Sequence, residues 1–104
     1  MERKSITKKS LENYESFLRQ EEKSQATVEK YLREIRVLSV FMKGAKISKP
    51  KILEYRERLI ETYQPKTVNT KLSAINSYLE FSGLSSCVVK LLKIQRQAVV
   101  DGEK

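Results

Sequence analysis

Cations and small hydroxyls gather around two places in this chain, while histidine is absent altogether. Lys23, Ser24, Thr27, Lys30 and Arg33 lie in the first place, and Lys66, Thr67, Thr70, Ser73 and Ser77 in the second. Ammonium, guanidinium and hydroxyl groups donate hydrogen bonds and attract anions, so the chemistry on offer is phosphate capture rather than bond making. Without histidine there is no imidazole general acid or base. Cys87 is the single cysteine, so no internal disulfide can form and a zinc site lacks its usual donors. No catalytic residue, metal ligand or cofactor is therefore assigned. Cys87 reads as a small half-buried residue with nothing nearby to activate a thiolate, and the cysteine usage fits a reducing cytoplasm.

Both places begin on one framework. Thr27-Val28-x-x-Tyr31-Leu32-x-x-Ile35 is echoed by Thr67-Val68-x-x-Lys71-Leu72-x-x-Ile75. Apolar residues at i, i+4 and i+7 mark one face of a helix. Each threonine falls in a first turn, after Ser24 in one copy and Pro65 in the other. A helix start exposes unpaired N–H groups and a partial positive charge, and so favours phosphate. First-turn threonines also bond backbone within the capping region, and the pattern leaves both readings open. Gln64 occupies the place of Ser24 in the second copy and is the poorer cap.

Four helices must position these groups. The spacing predicts the first over about Thr7 to Glu22, with Leu11, Tyr14, Phe17 and Leu18 on its stripe. The second follows Ser24 and ends near Lys43, with Gly44 as the terminating glycine, and buries Val28, Tyr31, Leu32, Ile35, Leu38 and Met42. The third follows Ser48, tolerates Pro50 in its first turn, and runs to about Thr62; Ile52, Leu53, Leu59 and Ile60 are expected inside, with Tyr55 at the edge. The fourth starts at Pro65 and stops before Gly83, with Val68, Leu72, Ile75 and Leu79 inward and Tyr78 and Phe81 flanking. Tyr14, Phe17, Tyr31, Phe41, Tyr78 and Phe81 stand at core spacing and read as packing. Short connections suit a helical bundle. In the tail, Val88 to Ile94 reads either as a short helix or as an extended segment.

The chain has 104 residues, enough for one domain, and carries 21 basic and 13 acidic residues, a net charge of +8. That balance points to phosphate polymers or an anionic surface as partners. No apolar run is long enough to span a membrane, and no signal-peptide pattern opens the chain. Between Thr62 and Val100 there are five basic residues and one acid, Glu80. The third helix interleaves both signs, as solvated helices do; the fourth has no carboxylate from Pro65 to Leu79. On the second helix Lys23, Lys30 and Arg33 lie opposite the core stripe around Ala26, with Glu29 and Glu34 flanking them.

Ser24-x-x-Thr27-Val28-x-x-Tyr31-x-x-Glu34-Ile35-x-x-Leu38-x-x-Phe41, followed by Thr67-Val68-Asn69-x-x-Leu72-Ser73-Ala74-Ile75-x-x-Tyr78, resembles the N-terminal core-binding domain of phage integrases, the tyrosine site-specific recombinases. The resemblance covers about residues 10–100. Lys90-Leu91-Leu92-Lys93-Ile94-Gln95-Arg96-Gln97 resembles the stretch that leads into the catalytic domain of such enzymes. The resemblance implies an all-α, four-helix SAM-like orthogonal bundle over residues 1–83. Residues 84–104 would be a linker tail toward a catalytic domain that lies outside this chain. It implies contacts to duplex DNA at an attachment or recombination half-site from Ser24, Gln25, Thr27, Lys30 and Arg33 on the second helix. From the fourth they would come from Lys66, Thr67, Asn69, Thr70 and Lys71, with further recombinase protomers as partners in the full-length protein and no membrane involvement. The family's tyrosine nucleophile and its histidines have no counterpart here, so the fragment is expected to be inert alone. The alternative from another class is a small basic helical adaptor that binds a protein. A self-contained nuclease or ligase is disfavoured by the missing histidines and the lack of a clustered carboxylate pair.

Overall fold

The computed structural model describes residues 5–93. Four helices form the bundle: α1 (Lys8–Gln20), α2 (Gln25–Met42), α3 (Lys49–Thr62) and α4 (Pro65–Phe81), followed by one 3-10 turn, Ser85–Cys87. No strand occurs among the described residues. Local chemistry sets the boundaries. Thr7 caps α1 in a reciprocal box: its hydroxyl accepts from the Ser10 N–H at 3.0 Å, and the Ser10 hydroxyl accepts from the Thr7 N–H at 2.9 Å. Ser24 caps α2 through the Thr27 N–H at 3.1 Å. Pro50 and Pro65 stand in the first turns of α3 and α4, where a missing N–H costs nothing.

The ends are equally local. After α4, Gly83 takes a φ of +79°, its N–H bonds the Glu80 carbonyl at 3.2 Å, and the Leu84 N–H reaches back to Leu79 at 2.8 Å. That pair of bonds is a Schellman stop, which needs a left-handed residue at its centre. Helix α1 ends on the same pattern, with Glu22 N–H to Arg19 and Lys23 N–H to Leu18. There the left-handed residue is Glu22, at φ +62°. The turn begins at Glu21, which is why α1 stops earlier than its apolar pattern suggested.

Helix α4 is the central element, packed on α2 above all and also on α3 and the 3-10 turn, while α1 lies on α2. Tyr14, Leu18, Val28, Ile35, Leu38, Ile52, Val68, Leu72, Ile75, Tyr78 and Leu79 are fully enclosed. Burial of each such side chain stabilises the fold by about 1.5–3 kcal/mol against the chain entropy it costs. Tyr14 and Tyr78 meet edge to face at 5.2 Å, Phe17 stacks on Tyr14, and Phe81 lies tilted against both Tyr14 and Phe17. Their buried hydroxyls are satisfied: Tyr14 donates to Ser77 Oγ at 2.8 Å and Tyr78 to Ser10 Oγ at 2.9 Å.

Two expectations change. On α3 the inward stripe is Ile52, Tyr55 and Leu59, with Tyr55 at 5% exposure and Leu53 turned out at 41%. The i, i+3, i+7 phase wins because Tyr55 packs on Phe41 of α2, ring centroids 5.1 Å apart. Glu34, read as flanking an exposed strip, is buried at 6%. The stretch after the 3-10 turn, which the sequence left open between helix and extended chain, has no regular secondary structure over residues 88–93, yet Val89 is buried. Ile94 and the residues after it lie outside the described part.

Candidate nucleic-acid interface

At the start of α2 the Ser24 side chain takes the Thr27 N–H and the Ser24 carbonyl takes the Val28 N–H. The N–H groups of Gln25 and Ala26 keep no partner among the described residues, so two donors and the positive end of an 18-residue helix remain open. Lys23, Lys30 and Arg33 are exposed and without a bonded partner among the described residues, and Arg36, which the charge pattern did not single out, joins them. Other candidates there are held locally. The Thr27 hydroxyl accepts from Ser24 Oγ at 3.0 Å, and the Gln25 amide bridges Arg19 at 2.9 Å and Glu29 at 2.7 Å. Along the outer face the strip runs Ala26, Lys30, Arg33, then two exposed valines, Val37 and Val40.

The start of α4 is open for a different reason. Gln64 makes no side-chain cap, Pro65 has no N–H, and Val68 bonds the Gln64 carbonyl at 2.9 Å. The N–H groups of Lys66 and Thr67 keep no partner among the described residues, and both residues are exposed. A poor cap thus leaves donors free for an anion, where a serine would occupy one of them. Thr70 is exposed, and its hydroxyl donates to the Lys66 carbonyl at 3.1 Å. Ser73 is half-buried, and Ser77 serves the Tyr14 hydroxyl.

The acid-free run of α4 has a structural cause. Within the helix only Pro65, Lys66, Thr67, Thr70 and Glu80 are exposed. Its other positions pack on neighbours, where a carboxylate would need a partner of its own.

Two further candidates are engaged inside the molecule. The Lys71 ammonium sits 3.1 and 3.3 Å from the two carboxylate oxygens of the buried Glu34, tying α4 to α2. The same ammonium lies 4.7 Å from the centre of the Tyr63 ring, a cation–π contact. Burial, then the Glu34 carboxylate, pushes the Tyr55 hydroxyl up to about 12. The Asn69 side chain is bonded to the main chain of Leu92. Its counterpart Asn76 was not singled out from the sequence; the seven-residue spacing of two asparagines on one helix is the signal that could have drawn attention to it.

Among the described residues no group of His, Cys, Asp or Glu could hold a metal ion, and no helix is long and apolar enough to cross a membrane. The bundle and its open groups define a basic all-α domain that offers anions two helix starts and a set of unpartnered cations. Residues 11–83 match the family described as phage integrase, N-terminal SAM-like domain, and the chain belongs to that family. No significant match to a curated protein or to a solved structure was found.

Proposed function

We propose that this domain is the DNA-gripping arm of a tyrosine site-specific recombinase, clamping duplex DNA at a recombination half-site for integration or excision. Strand cleavage would belong to a catalytic domain elsewhere in the parent protein, and other protomers would occupy the adjacent half-sites. The domain would act in the cytoplasm. The observation that carries this reading is the coincidence of family membership with open cations and helix-start amides on α2 and α4. Lys23, Lys30, Arg33 and Lys66 would neutralise phosphates, helped by the first-turn N–H groups after Ser24 and Gln64 and by the Thr67 hydroxyl, with the Thr70 hydroxyl joining once it turns from the Lys66 carbonyl. Lys71 and Asn69 would stand behind that surface and shape it.

The test is a fluorescence anisotropy titration of an attachment-site duplex. Lys30→Ala and Arg33→Ala should each weaken binding and reduce the salt slope by about one, whereas Lys51→Ala on α3 should leave the slope unchanged. Equal effects at all three positions would refute a defined contact surface. Val37 and Val40, exposed at 48% and 74%, favour a second reading in which this strip meets a protein, as in a basic adaptor. A specific protein partner, together with no preference for duplex DNA over heparin, would support that alternative.

A further inference from the structure

The segment after the 3-10 turn is gripped by side chains that imitate a neighbouring strand. Asn76 donates to the Val89 carbonyl at 2.8 Å and accepts the Val89 N–H at 3.1 Å. Asn69 does the same to Leu92, at 3.0 and 2.7 Å. A carboxamide carries one acceptor and a donor pair, so it can satisfy both main-chain groups of one residue at once. Helix α3 supplies a second rail: Lys49 Nζ donates to the Val88 carbonyl at 2.9 Å and Arg56 Nε to the Lys90 carbonyl at 3.0 Å.

The spacings agree. Seven residues of helix rise about 10.5 Å, and three residues of extended chain span about 10 Å. Asn69 and Asn76 are therefore in register with Leu92 and Val89, and a slip by one residue would leave both amides mismatched. The order matters as well. Val89 meets the later asparagine and Leu92 the earlier one, so the strap runs back along α4 toward its start.

We propose that Asn69 and Asn76 are a main-chain clamp that fixes residues 88–92 as an integral strap of this domain. They are positioning residues: they hold the strap antiparallel to α4, with Leu92 over Asn69, on the side of the first turn that carries Lys66 and Thr67. The clamp itself is independent of the DNA reading; only the value of its direction rests on it.

The test uses the full 104-residue chain and two readouts. In Asn69→Ala, amide hydrogen exchange at Leu92 should rise about tenfold or more, and in Asn76→Ala the same should hold at Val89. The amides of Leu72 and Ile75 should keep their protection in both. Asn69→Asp, which retains the acceptor for the Leu92 N–H, should lose less protection than Asn69→Ala. Spin labels at Lys66→Cys and Lys93→Cys, in a Cys87→Ser background, should give one narrow distance that broadens in the Asn69→Ala/Asn76→Ala double variant. Unchanged exchange and an unchanged distance would overturn the proposal, and so would loss of protection spread evenly over the bundle. Absence of DNA binding would leave these results untouched, so failure of the functional reading is distinguishable from failure of this one.

Discussion

Replacing Lys71 with methionine isolates the one buried ion pair described in this fold. Methionine keeps the length and apolar stem of lysine but withdraws the ammonium from both oxygens of Glu34. Glu34 is 6% exposed, so its carboxylate would be left in the interior without a counter-ion. Breaking a fully buried pair costs about 3–5 kcal/mol. The Lys71 side chain retains 19% exposure, so water shares part of the load, and we expect a loss of about 2–3 kcal/mol. For a domain of this size that lowers the melting temperature by about 10–20 °C. Thermal and urea unfolding followed by far-UV circular dichroism measure it. Glu34→Gln/Lys71→Met, which removes both charges, should recover much of the loss and yield a coupling energy of about 1–3 kcal/mol. On duplex DNA, Lys71→Met should keep the salt slope of the parent at a temperature where both are folded. A loss below about 0.5 kcal/mol, or a slope reduced as in Lys30→Ala, would refute the assignment of Lys71 to the interior.

Other outcomes follow from single features. Glu22→Gly relieves the left-handed strain that closes α1 and should raise stability by about 0.5–1 kcal/mol by denaturant midpoint. Ser24→Ala removes the α2 cap and should cost about 1 kcal/mol, while Gln64→Ser should stabilise α4 by a similar or smaller amount and weaken phosphate binding at its start. Tyr14, by burial against a partly compensating Ser77 bond, and Tyr55, by burial and the Glu34 carboxylate, are both pushed up to about 12 from 10.0. A neutral acid whose folded value is raised contributes stability that is complete below the unfolded value and lost as pH rises through the folded one. Melting temperature should therefore fall between pH 10 and 12, and absorbance titration at 295 nm should lose a late component in Tyr14→Phe and in Tyr55→Phe.

Helix existence and most boundaries were legible because they rest on local chemistry. Ser24, Ser48 and Pro65 announce starts, and Gly44 and Gly83 announce stops, whatever the rest of the chain does. The end of α1 was less legible, since Glu22 is an unlikely occupant of a left-handed position. The phase of α3 was ambiguous for a different reason: Ile52, Leu53, Tyr55, Leu59 and Ile60 fit two overlapping stripes, and only the contact of Tyr55 with Phe41 selects one. The open cations of α2 could be read from their place opposite the apolar stripe. The engagement of Lys71 with Glu34 and of Asn69 with Leu92 could not, because each joins residues far apart in the chain. Charge and amide side chains look alike in sequence whether they face a ligand or a neighbouring helix.

The most direct test of the account is the salt dependence of duplex binding by the isolated domain. Of the unpartnered cations, the four proposed to neutralise phosphates, Lys23, Lys30, Arg33 and Lys66, imply a log K against log salt slope of about −4. Between 50 and 200 mM salt the affinity should then fall by about two orders of magnitude. An attachment-site duplex titrated with the domain over that range should give this slope. A slope shallower than about −1 would contradict the claim that these residues grip a phosphate backbone.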